Sequence, residues 1–179
     1  MQKQTSEFLG SDYKAPATTS SYMKLQKGEN VIRILSNAIT GYEYWNDDNK
    51  PIRSKEPFSA TPNIKLDMDG NPTKVKHFWS FVVWNYDTKN IEILQINQAT
   101  IQGNIKALID DEDWGNPKGY DIKITRSGEK LETKYSVNPK PAKPVDDEIQ
   151  AKYNASEINL EALFTGGNPF EKNTEPVAF

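Results

Sequence analysis

The stretch FWSFVVW at residues 78–84 decides the fold, because aromatic or β-branched side chains occupy six of its seven positions. Such residues favour β-strands. Successive side chains of a strand point to opposite faces, so the stretch divides into two sets. Trp79 and Phe81 belong to a bulky apolar set that we assign to the core. The other set mixes aromatic rings with Lys76 and Ser80, which is typical of a solvated surface.

Weaker strand signals flank this stretch on both sides. They fall at residues 30–35, 91–96, 120–125 and 131–137, and residues 42–45 are either an aromatic strand or a bent continuation of the first. A helix is indicated between them by the apolar residues Ile101, Ile105, Leu108 and Ile109, whose spacing forms a single stripe. The pattern predicts a mainly β protein with an OB-fold-like five-stranded barrel and one helix between strands 3 and 4.

Composition divides the chain into three parts. Residues 1–21 lack periodic hydrophobicity and predict a flexible N-terminal arm. Residues 22–139 form the predicted OB-fold domain, and residues 140–179 a proline-rich linker with an acidic C-terminal tail. Residues 146–179 hold seven acidic and two basic residues, so the rest of the chain has 20 basic against 18 acidic residues. The body is therefore mildly basic although the net charge is −3.

The segment at residues 46–76 is too long for an ordinary hairpin loop and is rich in proline and glycine. It carries six basic residues, which are Lys50, Arg53, Lys55, Lys65, Lys74 and Lys76. Cations next to exposed aromatic rings are the pattern expected of a surface for single-stranded nucleic acid, since rings stack on bases and cations contact phosphates. The candidate DNA-binding residues are Arg33, Tyr44, Trp45, Lys50, Arg53, Lys55, Lys74, Lys76, Phe78, Trp84 and Tyr86.

Signals for catalysis or metal binding are weak. The chain has no cysteine and one histidine, His77, so we expect no enzyme activity, no cofactor and no metal. Asp67 opens a stretch that resembles a calcium loop, but its glycine comes too early and no glutamate closes it. The acidic run at residues 110–113 leaves open a metal-dependent nuclease, although adjacent carboxylates seldom converge on one ion.

Several stretches together resemble the single-stranded-DNA-binding proteins of tailed phages and prophages. They are YMKLQKGENVIRIL at residues 22–35, GYEYW at 41–45, KHFW at 76–79, VWNY at 83–86, DEDWG at 111–115, GYDIKITR at 119–126, LETKY at 131–135 and INLEALF at 158–164. The resemblance covers roughly residues 20–170. It implies an OB-fold and protection of exposed strands during phage DNA replication or recombination. Some phage proteins in this role bind zinc, but the lack of cysteine here predicts no structural metal.

The chain ends in EPVAF, which is similar to the acidic, phenylalanine-terminated tails of bacterial single-stranded-DNA-binding proteins. Glu175 and Phe179 are therefore the candidate residues for binding replication or recombination proteins. No apolar run is long enough for a bilayer and no signal-peptide core is present, so we expect the cytoplasm of a bacterial host. The alternative is an OB-like module that binds protein or saccharide in phage assembly, because the fold alone does not choose the ligand.

Overall fold

The computed structural model describes residues 22–171, and within them the protein is mainly β, as predicted. The described strands form a seven-stranded antiparallel sheet. They are β1 (Gly28–Ile34), β2 (Ile39–Trp45), β3 (Pro51–Ser54), β4 (Lys76–Asn85), β5 (Asn90–Ile96), β6 (Tyr120–Ser127) and β7 (Lys134–Ala142). The helices are α1 (Ala99–Asp110), α2 (Asp147–Ser156) and the single turn α3 (Ala162–Thr165).

Strand β4 is the centre of the sheet, as its sequence suggests. Strand β5 pairs along one edge of β4, while β1 and β2 lie end to end along the other, with Ile34 opposite Val83 and Ile39 opposite Ser80. Strand β3 continues the sheet beyond β2, whereas β6 and β7 continue it beyond β1. Between the described residues of β5 and β7 there is no ladder, so the sheet is open.

The predicted five-stranded barrel with a helix after its third strand differs from this arrangement. Helix α1 follows β5, the fifth strand, because the chain contains two strand segments more than the prediction counted. Strand β3 was missed because it has four residues and starts at Pro51, which lacks the N–H that a central strand needs. The second extra segment arises because residues 35–38 bend the chain and separate β1 from β2.

The core lies on the inner face of the sheet, where α1 packs. Phe81 is 2% exposed, and Trp79 packs against the same cluster, so the predicted core role of both side chains is confirmed. Helix α1 contributes Ile101 and Ile105 from the stripe that predicted it. Burial of a side chain of this size stabilises the fold by about 1.5–3 kcal/mol.

The segment at residues 147–171 lies on the outer face of the sheet. Helix α2 begins with the acidic residues Asp147 and Glu148, whose charge is favourable at a helix N-terminus. Ile149 from α2 and Leu163 from α3 are buried, so the described part of the predicted tail packs on the sheet. The proline-rich stretch before it forms the end of β7. Within the described residues, no helix is long and apolar enough to cross a membrane.

Candidate nucleic-acid interface

An open groove runs along the outer face of β2, and Trp45 is its most exposed aromatic residue. The Trp45 side chain is 44% exposed at the end of β2. Two cavities of about 720 and 740 Å³ adjoin there, and both are lined by Glu43, Trp45 and Asn97. A planar ring that is open to solvent within a groove of this size can stack on a nucleotide base.

Positive charge is concentrated around this groove. Among the described residues that line it, six are basic and two are acidic. The basic residues are Lys24, Lys50, Arg53, Lys65, Lys74 and Lys76, and the acidic residues are Glu43 and Asp67. The groove therefore attracts anions although the whole chain has a net charge of −3.

One of the two acidic residues is already neutralised by its neighbours. Glu43 is 3% exposed, and its Oε2 accepts hydrogen bonds from Arg53 Nε at 2.8 Å and from Gln95 Nε2 at 2.8 Å. The buried carboxylate holds the Arg53 guanidinium against the floor of the groove. Arg53 is therefore held in place with its charge offset by Glu43, and the exposed lysines supply the positive charge that can move to reach phosphates.

The long segment at residues 46–76 forms the wall of the groove. Its backbone is tied to β2 by the Lys65 N–H, which donates to the Trp45 carbonyl at 2.8 Å, and it is closed on itself by the Asp47 N–H, which donates to the Asn63 carbonyl at 2.8 Å. The Lys65 ammonium donates to Asn49 Oδ1 at 2.7 Å. Of the predicted site residues, the structure brings Trp45, Lys50, Arg53, Lys74 and Lys76 together around this groove.

Phe78 and Trp84 lie on the predicted outer face of β4, but the prediction that they are exposed is wrong. Phe78 is 0% exposed and Trp84 is 6% exposed. The ring of Phe164 packs against Phe78 with centroids 6.0 Å apart, and the Lys152 ammonium lies 5.2 Å from the Trp84 ring centroid. The sequence indicated the correct face, but the segment at residues 147–171 covers it.

Arg33 and Tyr86 belong to a polar network beside Trp84. Arg33 lies on the opposite face of β1 from the core residues Ile32 and Ile34, but it is 2% exposed and pairs with Asp121 at 3.5 Å, so the prediction that it is available to DNA is wrong. The Tyr86 hydroxyl donates to Asp121 Oδ1 at 2.9 Å, and Lys143 Nζ lies 3.1 Å from Asp121 Oδ2. Burial, followed by the hydrogen bond to Asp121, raises the pKa of Tyr86 well above its usual value. The network keeps the phenol protonated and fixes β1 against β6.

The remaining predicted residues take other positions. Tyr44 is buried, packs edge-on against Phe58, and donates its hydroxyl to the Pro62 carbonyl at 3.2 Å. Because the Tyr44 ring is 3% exposed, it is not available for stacking on a base. Lys55 is exposed and pairs with Glu161 at 2.9 Å. Glu175 and Phe179 lie outside the described residues.

The carboxylates considered for metal binding are engaged elsewhere. In residues 22–171, no three histidine or acidic side chains come close enough together to hold a metal ion. Asp110 forms an ion pair with Lys106, and Asp111 Oδ1 accepts the Asp113 N–H at 2.8 Å. Asp67 Oδ1 accepts the N–H groups of Asp69 and Asn71, which makes an Asx-type turn.

The groove also contains residues that the sequence analysis did not select. Lys24 and Asn97 line it, yet Lys24 lies before β1 and Asn97 directly after β5, where no periodic pattern marks them. Lys65 was part of the basic segment and had a charge signal. Its position beside Trp45 depends on backbone hydrogen bonds between residues about 20 positions apart, which a sequence pattern does not reveal.

Comparison with known proteins gives one similarity. The chain is 28% identical over 139 residues to the "Probable ssDNA-binding protein" of Escherichia phage T5, and the match covers 65% of this chain. It spans about half of that protein, 53% of its length. No protein-family model matches the chain. No solved structure matches it either.

Proposed function

We propose that this protein binds single-stranded DNA with little dependence on sequence, and that it does so in the groove around Trp45. The observation that carries the proposal is the exposed Trp45 ring among six basic side chains. Every base has a face on which a ring can stack, and phosphates are common to all sequences, so such a groove does not discriminate between bases. The similarity to a probable single-stranded-DNA-binding protein of phage T5 supports the same function.

The proposed fold is an open variant of the OB-fold. Strands β1 and β2 lie end to end along one edge of β4, so together they can be counted as a single strand, the first of five. Strands β4, β5, β6 and β7 are then the others, and α1 falls between the third and the fourth. OB-folds bind oligonucleotides on the face of their second and third strands and on the loop that joins the first to the second. In this chain those elements are β4, β5 and the segment at residues 46–75, which border the groove.

The proposed biological role is protection of exposed strands in phage DNA replication or recombination, in the cytoplasm of a bacterial host. Such a role requires binding without catalysis. We therefore expect an oligonucleotide that is incubated with the protein and Mg²⁺ to remain intact, because Asp110 is paired with Lys106 and Asp111 accepts a backbone N–H, and the described acidic side chains do not gather in a group of three that could hold a metal ion.

Titration with oligothymidylate tests the proposal. The ring of Trp45 should contribute about 1–3 kcal/mol of binding free energy, so Trp45→Ala should weaken binding by that amount and Trp45→Phe should restore most of it. Trp114→Phe is the matched control, because Trp114 packs against Tyr120 beside the core. Duplex DNA of equal length should bind more weakly.

The possible outcomes distinguish a wrongly assigned site from a wrongly assigned function. If the wild-type protein binds oligothymidylate and Trp45→Ala binds equally well, the groove is the wrong site. If the wild-type protein binds duplex as well as single strands, or binds neither, the proposed function is wrong. Saturable binding of an oligosaccharide in place of DNA would favour the assembly module considered above.

A further inference from the structure

The outer face contains a second recess that is occupied by the protein's own chain. Gly41 of β2 lies opposite Phe78 of β4 in the sheet register. A Cβ atom at position 41 would lie 3.0 Å from Phe164 Cε1 and 3.2 Å from Phe78 Cε1. The absence of a side chain at Gly41 therefore creates the space into which the Phe164 ring enters.

Rings and cations alternate around this recess. The Arg53 guanidinium lies 5.8 Å from the Phe78 ring centroid, and the Phe164 ring packs on Phe78. The Lys55 ammonium lies 5.3 Å from the Phe164 centroid and 2.9 Å from the Glu161 carboxylate. A planar ring and an anion, three residues apart on the same turn, thus meet an aromatic surface and a lysine.

We propose that this recess is a second nucleotide subsite, and that Phe164 and Glu161 occupy it in place of a base and a phosphate. The chemistry matches group by group, since Phe78 can stack on a base and Lys55 can pair with a phosphate. Arg53 connects the recess to the groove around Trp45, because it lines that groove and also lies over Phe78. A strand that is long enough to fill both positions displaces the turn at residues 161–164.

The polar contacts that hold the turn are weak, although the turn also buries Leu163, which is 4% exposed. Binding of a base and a phosphate must therefore offset the exposure of Leu163 when the turn is displaced. The ion pair between Lys55 and Glu161 is more than half exposed on both sides, and such pairs contribute little. Helix α3 is a single turn, and Phe164 itself is half-buried. Displacement therefore exposes Phe78 to the incoming base without disturbing the inner core.

The proposal rests on the proposed function, and oligothymidylates of two lengths test it. A strand of about 4 nucleotides fills the Trp45 groove alone, whereas a strand of about 16 nucleotides reaches both subsites. We expect the double variant Glu161→Gln/Phe164→Ala to bind the long strand about tenfold more tightly and to bind the short strand as the wild type does. Glu157→Gln is the matched control, since it removes the same charge from the same segment, and it should change both affinities by less than about twofold.

Hydrogen exchange gives a second readout that does not depend on the variant's stability. The amides of Phe164 and Gly167 donate to the carbonyls of Glu161 and Ala162 at 3.1 and 3.0 Å in the covered state. The long strand should accelerate their exchange in the wild-type protein, whereas the short strand should not.

Unchanged or slower exchange of these amides when the long strand is bound would overturn the proposal, as would a double variant with unaltered affinity for that strand. Both results would leave the proposed function intact. Failure of every variant and of the wild type to bind either strand would instead remove the proposed function, and the subsite with it.

Discussion

Asp121 shows how a single buried carboxylate organises several basic and polar residues. It is 3% exposed and pairs with Arg33, which is 2% exposed, while Lys143 and Tyr86 also contact it. The Arg33 guanidinium also donates to the carbonyls of Lys118 and Lys143. Arg33 is therefore fully engaged within the protein, and its charge depends on Asp121 for compensation.

Replacing Asp121 by asparagine should lower the free energy of unfolding by about 3 kcal/mol, because it leaves the Arg33 charge buried without its counterion. Urea denaturation followed by tryptophan fluorescence measures this change. Asp87→Asn removes an exposed acid and should alter stability by less than about 0.5 kcal/mol. Equal stabilities of the two variants would mean that Arg33 is not held by this ion pair.

Gly41 and Gly103 differ in the space that each position leaves for a side chain. A Cβ atom at position 41 would lie 2.4 Å from the Ser54 carbonyl oxygen, whereas one at position 103 would meet nothing within 4 Å. Gly103 lies inside α1, where glycine is unfavourable relative to alanine by about 1 kcal/mol.

We therefore expect Gly103→Ala to stabilise the protein by about 1 kcal/mol and Gly41→Ala to destabilise it by about 1–3 kcal/mol, since the clash involves backbone that cannot move without breaking the β2–β3 ladder. Thermal unfolding measures both changes. A Gly41→Ala protein as stable as the wild type would show that this part of β2 can shift.

At the scale of elements, the sheet has apolar layers on both faces, and they differ in what covers them. The inner layer contains Leu94 and Phe81 and is closed by α1. The outer layer contains Phe78, Val82, Trp84 and Ile93 and is closed by Ile149 and Leu163. Short helices on a sheet face are expected to open locally at a lower free energy than the core.

This difference predicts distinct effects of two equivalent substitutions. Leu94→Ala should lower the global free energy of unfolding by about 2–5 kcal/mol. Leu163→Ala should instead accelerate hydrogen exchange in residues 159–167 while it changes exchange in β4 much less. If Leu163→Ala lowers the protection of β4 as strongly as Leu94→Ala does, the C-terminal segment and the sheet unfold as one unit.

The elements also show what the sequence could predict. Alternation along β4 separated Trp79 and Phe81 from Phe78 and Trp84 correctly, because the period of a strand is a local property. The burial of Phe78 and Trp84 was not predictable, since Phe78 is covered by Phe164 and Trp84 is approached by Lys152, both far along the chain. The same holds for Arg33 and Arg53, whose carboxylate partners are far along the chain or across a hairpin.

At the scale of the whole molecule, the distribution of charge matters more than its sum. The chain has a net charge of −3, yet the described lining of the Trp45 groove has six basic residues against two acidic ones. At physiological ionic strength the field of a charge extends only about 8 Å, so a strand in the groove senses the nearby lysines more than the distant acids. Binding should therefore depend strongly on salt in spite of the acidic composition.

The salt dependence can be assigned to particular residues. For single strands, the slope of log K against log salt is about −0.7 for each phosphate that is neutralised. Lys74 lines the groove, so Lys74→Gln should make the slope shallower by about 0.7 and weaken binding equally for oligothymidylate and oligocytidylate. Lys106→Gln is the control, because Lys106 lies on α1, which packs on the inner face, and pairs with Asp110 there. If Lys106→Gln changes the slope as much as Lys74→Gln does, the strand follows the charge of the whole surface, and the groove around Trp45 has no special part in binding.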